Sequence, residues 1–283
     1  MSTSLRLTSE FRCFNGTVAY YTHHSTSCNC DMNFAVYLPP QAQSQAVPIL
    51  YYLSGLTCTA ENFITKAGAQ AYAAQWGIML VVPDTSPRNT GIPGEDDTWD
   101  LGSGASFYVN ATVAPWQKHY QMYSYITQEL PTLIAANFPV QAKKQSIFGH
   151  SMGGHGALIC ALKNPQQYLS VSAFAPIASP INCPWGNKAF TAYLGNDKEE
   201  WSKYDASELI KTTQIDSIIL IDQGTADSFY QQQQLLPETF QSACEMVGQN
   251  LNLRWQKGYD HSYFMISSFI KDHIQHHAGY LKQ

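Results

Sequence analysis

Ser146-Ile147-Phe148-Gly149-His150-Ser151-Met152-Gly153-Gly154-His155-Gly156-Ala157-Leu158 is the stretch from which the fold of this chain is read. A strand-length apolar run, Ser146 to Gly149, meets a helix of small and apolar residues, Met152 to Lys163, which ends before Asn164-Pro165. Gly149 to Gly153 therefore spells G-x-S-x-G across a strand-to-helix turn. So sharp a turn brings backbone too close for Cβ atoms at the two glycines and leaves the serine exposed on a strained corner. Gly153, Gly154, Gly156 and Ala157 then let the helix approach the sheet closely. Ser151 is the candidate nucleophile.

Outward from this turn, apolar runs of strand length alternate with helix-like segments. That alternation predicts an α/β fold with a mostly parallel central sheet flanked by helices on both faces. Strands are expected at Phe34 to Leu38, Val47 to Leu53, Ile78 to Val82, Tyr168 to Phe174, Ile218 to Asp222 and Leu251 to Gln256. Helices are expected at Ala60 to Trp76, about Met122 to Asn137 with a break or a new first turn at Pro131, Phe240 to Val247 and Ser262 to His277. Between about 85 and 115 the pattern dissolves into Gly, Pro, Asp and aromatics, a long loop of the kind that usually carries function. Residues 176 to 215 read as an irregular insertion with a short helix. No repeat or linker interrupts the pattern, so residues 1–283 are expected to form one domain.

Composition narrows the function. Sixteen Lys+Arg against twenty-one Asp+Glu give a net charge of −5, with no dense run of either sign, so a nucleic-acid partner is not expected. No stretch approaches the roughly 18 apolar residues that span a bilayer, and Met1 to Arg6 lacks the apolar core of a secretory signal. A cytoplasmic location without membrane contact is the expectation. Seven cysteines, an odd number, argue for reduced thiols over a disulfide framework. Cys28 and Cys30 lack a second pair at zinc-like spacing, and neither metal nor cofactor is expected. His273, His276 and His277 are expected to be solvated on the terminal helix.

A serine hydroxyl is a poor nucleophile at neutral pH and needs a base held by a carboxylate, here in the chain order Ser, acid, His. Two acids compete downstream, Asp222 at a strand end and Asp227 in the loop Gly224-Thr225-Ala226-Asp227. Asp227 is preferred for its place beyond the carboxyl end of the strand, while Asp222 suits tying down the loop. His261, in Gly258-Tyr259-Asp260-His261, follows the last strand and is the candidate base. His150 and His155 flank the nucleophile but are held by the turn and its helix, and are read as structural. The oxyanion donors are expected to be the N–H of Met152 and, after the turn Ser54-Gly55, the N–H of Leu56.

Tyr51-Tyr52-Leu53-Ser54-Gly55-Leu56-Thr57-Cys58-Thr59, Pro83-Asp84-Thr85-Ser86-Pro87-Arg88 and Gly94-Glu95-Asp96-Asp97-Thr98-Trp99-Asp100 accompany the serine motif. Further on come Cys183-Pro184-Trp185-Gly186 and Gly258-Tyr259-Asp260-His261-Ser262-Tyr263. On these stretches the chain resembles the S-formylglutathione hydrolase (esterase D) family, over almost its whole length. The resemblance implies an α/β-hydrolase fold, the triad Ser151, Asp227 and His261, and oxyanion donors at Leu56 and Met152. It places Gly55 and Cys58 beside the active site and Trp185 at the substrate entrance. It also implies hydrolysis of S-formylglutathione to formate and glutathione, with side activity on short-chain esters, and a homodimer. A general carboxylesterase or acyl-carbohydrate esterase of the same fold is the enzymatic alternative, and a catalytically silent binding module the non-enzymatic one.

Overall fold

The computed structural model describes residues 5–283. The reading of the first six residues as lacking a signal core therefore lies mostly outside the described residues. Nine strands form one sheet: β1 (Arg6–Cys13), β2 (Gly16–Ser25), β3 (Cys30–Leu38), β4 (Val47–Leu53), β5 (Met79–Pro83), β6 (Val140–His150), β7 (Val171–Phe174), β8 (Ile219–Gly224) and β9 (Leu251–Gln256). Their spatial order is β1-β2-β3-β5-β4-β6-β7-β8-β9. From β5 to β9 every pairing is parallel. The β1-β2-β3 meander joins antiparallel at β5.

The neighbouring strands β4 and β5 are buried along their whole length. Val47 to Leu53 is buried at every position, which is how a strand covered by helices on both faces must read. The helix Met152–Lys163 contributes small residues to one face, and the terminal helix Tyr263–Leu281 packs on β4, β6, β7 and β8.

Four expectations are corrected. The N-terminal hairpin β1-β2 was not anticipated, and β3 begins at Cys30, not Phe34. The helix expected from Ala60 to Trp76 is two helices, Ala60–Lys66 and Ala69–Trp76, because Gly68 takes φ +68° and ends the first. The insertion at 176–215 is more helical than its irregular sequence pattern implied, with helices Pro184–Leu194, Lys198–Ser202 and Ala206–Leu209. His273 and His277 are fully buried, not solvated. They lie one turn apart on the face of the terminal helix that meets the sheet, where strand serines partner them. Ser172 Oγ shares hydrogen bonds with His273 Nδ1 and His277 Nε2, each at 2.8 Å, and Ser170 Oγ meets His277 Nδ1 at 2.8 Å. His276 is half-buried, with burial pushing its imidazole down to about 4.

Of the two expectations for Pro131, a break or a new first turn, the structure shows the second. The proline occupies the first turn of Leu130–Asn137, directly after a wide π-turn at Tyr125–Glu129, where a missing N–H costs least.

Candidate active site

Ser151 stands between β6 and the helix Met152–Lys163 at φ 58°, ψ −121°, a conformation a side chain other than glycine rarely adopts. What holds it there is the backbone packed around it. A Cβ on Gly149 would sit 2.2 Å from the Gly153 carbonyl oxygen, and one on Gly153 would sit 1.9 Å from that of Leu53. Ser151 N–H donates to Phe174 O at 2.9 Å and its carbonyl accepts from His155 and Ile177, so both sides of the corner are pinned. The first N–H groups of a helix have no partner within it, and the Met152 N–H has none elsewhere among the described residues.

Across the cavity the chain leaves β4 through Ser54-Gly55-Leu56-Thr57-Cys58. Gly55 admits the close approach, since a Cβ there would lie 3.1 Å from Ser151 Cβ. Thr57, a β-branched residue, is held at φ +68° by donating its N–H to Gly104 O at 2.9 Å. The Leu56 N–H, like that of Met152, has no acceptor among the described residues. Two unpaired amides thus lie near the serine, that of the next residue in the chain and that of Leu56, which lines the same cavity.

The acid and the base sit on two loops that are joined to each other. Ala226 N–H donates to Tyr259 O at 2.9 Å, and Thr225 N–H to Gln256 O at 3.0 Å. Gly224 makes room, because a Cβ there would stand 2.3 Å from Tyr259 O. Asp227 caps the short helix Ser228–Gln231 by accepting from Phe229 N–H at 2.8 Å. Its other oxygen lies 2.6 Å from His261 Nδ1. A carboxylate only accepts, so Nδ1 carries the proton and Nε2 is left as the basic nitrogen. Burial pushes the Asp227 carboxyl up, but the hydrogen bonds from His261 and from the Tyr230 and Phe229 amides outweigh it and hold the group below the usual carboxylate range. Asp227 therefore stays ionised beside the imidazole.

Asp222, the rival acid, is fully buried and engaged elsewhere. It accepts from Arg254 at 2.7 and 2.6 Å, from Gln256 at 3.0 Å and meets His273 Nε2 at 3.1 Å. Burial raises its carboxyl, and these partners more than reverse that, to about 2. His155 meets Phe107 O at 2.9 Å, and burial pushes its imidazole down to about 4. His150 has a place that sequence reasoning did not give it. Its ring lies 4.4 Å from that of His261, and burial holds it neutral.

One cavity of about 170 Å³ is lined by Gly55, Leu56, Cys58, Ser151, Trp185 and His261, and also by Thr57, Trp99, His150 and Phe229. Burial pushes the Cys58 thiol up, so it faces the cavity as a neutral thiol, a weak nucleophile. Trp185 packs on Phe229 at 4.8 Å between ring centres. Thr57 and Phe229 went unforeseen, and Trp99 belongs to the loop at about 85–115 that was expected, with Trp185, to shape the thiol side of the site. The strand-and-turn logic that finds a triad carries no signal for wall residues, although Asp227-Ser228-Phe229 places Phe229 in the capped turn. A larger groove of about 360 Å³ beside β2 holds no nucleophile with a base. Among the described residues no group of three or more His, Cys, Asp or Glu is arranged to hold a metal ion, and no helix is long and apolar enough to cross a membrane.

A strained serine on a strand-to-helix corner of a mostly parallel sheet, with an ordered His–Asp pair on later loops, defines the α/β-hydrolase class of esterases. Residues 25–278 match the family model described as "Putative esterase". The chain is 57% identical to the S-formylglutathione hydrolase of Mus musculus over 98% of its own length and 99% of the mouse protein. The Bos taurus S-formylglutathione hydrolase is 53% identical, with 98% and 99% covered. An S-formylglutathione hydrolase structure from Agrobacterium tumefaciens superposes with a TM-score of 0.95 at 45% identity, covering 98% of this chain and 99% of that one. The chain belongs to the S-formylglutathione hydrolase family of esterases.

Proposed function

We propose that this chain hydrolyses S-formylglutathione to formate and glutathione, with Ser151 as nucleophile, His261 as general base and Asp227 as its orienting carboxylate. The reading rests above all on the 2.6 Å His261–Asp227 contact, with His261 and Ser151 lining one small cavity. Family membership and the shared name of its relatives support the substrate.

In this mechanism Ser151 Oγ attacks the formyl carbon as its proton passes to His261 Nε2. The carbonyl oxygen gathers negative charge against the Leu56 and Met152 amides. The tetrahedral intermediate collapses, the carbon–sulfur bond breaks, and glutathione leaves. The leaving sulfur, whose thiol has a pKa of about 8.5, needs less help than an amine, and it carries off the proton held by His261, which restores the neutral imidazole for the next step. Water, deprotonated by the same histidine, attacks the formyl-enzyme; formate is released and Ser151 recovers its proton. The cavity's small volume suits a one-carbon acyl group, and short-chain esters would be secondary substrates. The same reading takes residues 1–283 as one domain, working in the cytoplasm as a homodimer.

The test is a side-by-side assay of S-formylglutathione and a simple acetate ester with wild type and Ser151→Ala. Wild type should prefer the thioester, and the variant should lose about 10⁴-fold or more in kcat on both. Faster turnover of bulky acyl esters than of S-formylglutathione would replace the reading with a general esterase. Retained activity in Ser151→Ala would remove the nucleophile from it.

A further inference from the structure

Trp99 is the one large side chain lining the cavity that remains mostly in water, 53% exposed. It belongs to no helix or strand, yet its position is fixed. Its ring meets buried Trp185 edge-on, with centres 5.5 Å apart and planes at 89°. Lys188, on the helix Pro184–Leu194 that also carries Trp185, reaches back to the residues on either side of Trp99. Its ammonium donates to Thr98 Oγ1 at 3.3 Å and ion-pairs with Asp100. Thr98 is in turn bridged to Leu101. With its charge matched by Asp100, Lys188 is no free cation for a substrate carboxylate. It works as a staple across the base of the indole.

An indole left half in water beside the catalytic serine has more apolar area than a one-carbon acyl group can cover. The other reaction partner is the thiol side of the thioester, which brings a polarisable sulfur and a peptide. Sulfur packs favourably on aromatic edges, and flat rings bind peptide at little conformational cost. Resting on the thioesterase reading above, we propose that Trp99 is a specificity-determining residue that receives the thiol portion of the substrate, and that Lys188 and Asp100 are positioning residues that act through it.

The experiment compares S-formylglutathione with S-formyl-2-mercaptoethanol, which keeps the reacting thioester and lacks the peptide. Trp99→Ala should lower the ratio of kcat/KM between the two by about tenfold, chiefly through KM for S-formylglutathione, and Trp99→Phe should restore most of it. Lys188→Met should move the ratio in the same direction by about threefold, and should add nothing in the Trp99→Ala background. An unchanged ratio in Trp99→Ala, with S-formylglutathione still turned over by wild type, overturns the proposal and leaves the functional reading standing. An equal loss on both substrates also overturns it, as does a Lys188→Met effect that persists without Trp99. Wild type that cleaves the small thioester but not S-formylglutathione overturns both readings.

Discussion

At the level of single residues, two aspartates five positions apart have been given opposite work by their surroundings. Asp227 meets the imidazole of His261, whereas Asp222 ties Arg254, Gln256 and His273 together beneath the sheet end. Substitution should separate them. Asp227→Asn, which keeps the shape but disturbs the tautomer that frees Nε2, should lower kcat by about 10⁴ with little change in melting temperature. Asp222→Ala leaves fully buried His273 Nε2 without its acceptor and half-buried Arg254 with Asp272 as its remaining carboxylate, and should cost about 1–3 kcal/mol of stability while the remaining folded enzyme keeps a near-normal kcat. Steady-state kinetics beside thermal melts reads both, and a kcat collapse in Asp222→Ala without loss of stability would exchange the two assignments. That Asp227 and not Asp222 would meet the histidine was legible in the sequence, because Asp222 still belongs to a buried strand. Nothing in the sequence showed that the His150 ring at the end of β6 would lie tilted beside that of His261, or which residue of the loop at about 85–115 would line the cavity, since both depend on segments meeting across the sheet.

At the level of elements, the parallel core was readable and the edges were not. Val47 to Leu53 and Ser146 to Gly149 are continuous apolar runs next to turn residues, and each became a central strand. The N-terminal hairpin was legible in principle. Arg6–Cys13 alternates polar and apolar residues, and Asn15-Gly16 is a hairpin signal. Phe14 and Asn15 do adopt positive φ at 46° and 60° between the paired Cys13 and Gly16. The histidines of the terminal helix misled because imidazoles at 273 and 277 look like solvent-facing polar groups until the strand serines opposite them are known. Ser172→Ala would leave one ring nitrogen on each of His273 and His277 without its partner, at about 1–3 kcal/mol per orphaned group. The urea midpoint should fall accordingly with kcat within about twofold of wild type. An unchanged midpoint would mean that the shared hydroxyl contributes nothing to docking the helix.

For the molecule as a whole, the histidines set the response to acid. Of nine histidines, His23, His150, His155, His273, His276 and His277 are held by burial below their ordinary titration range. Unfolded, each takes up a proton near pH 6.5; folded, His155 and His276 resist until about 4. The unfolded state therefore binds more protons as the pH falls through this window. The stability these groups contribute is intact above about 6.5 and drains away towards 4, at up to about 1.4 kcal/mol per pH unit for each such histidine. Asp222 adds a second, lower step, its contribution being lost only as the pH falls from near 4 through about 2. Urea midpoints measured from pH 8 to pH 4 should decline steeply below 6.5, and a flat profile down to pH 5 would contradict this reading.

The order in which the three reactive side chains occur along the polypeptide carries one more consequence. The base follows the last strand and directly precedes a helix whose far turns are fastened to serines 170 and 172. During synthesis, then, Ser151 and Asp227 emerge ahead of His261, the base of the reaction proposed above. On that reading turnover would begin only once the segment carrying His261 has docked, so its onset would report that step of assembly.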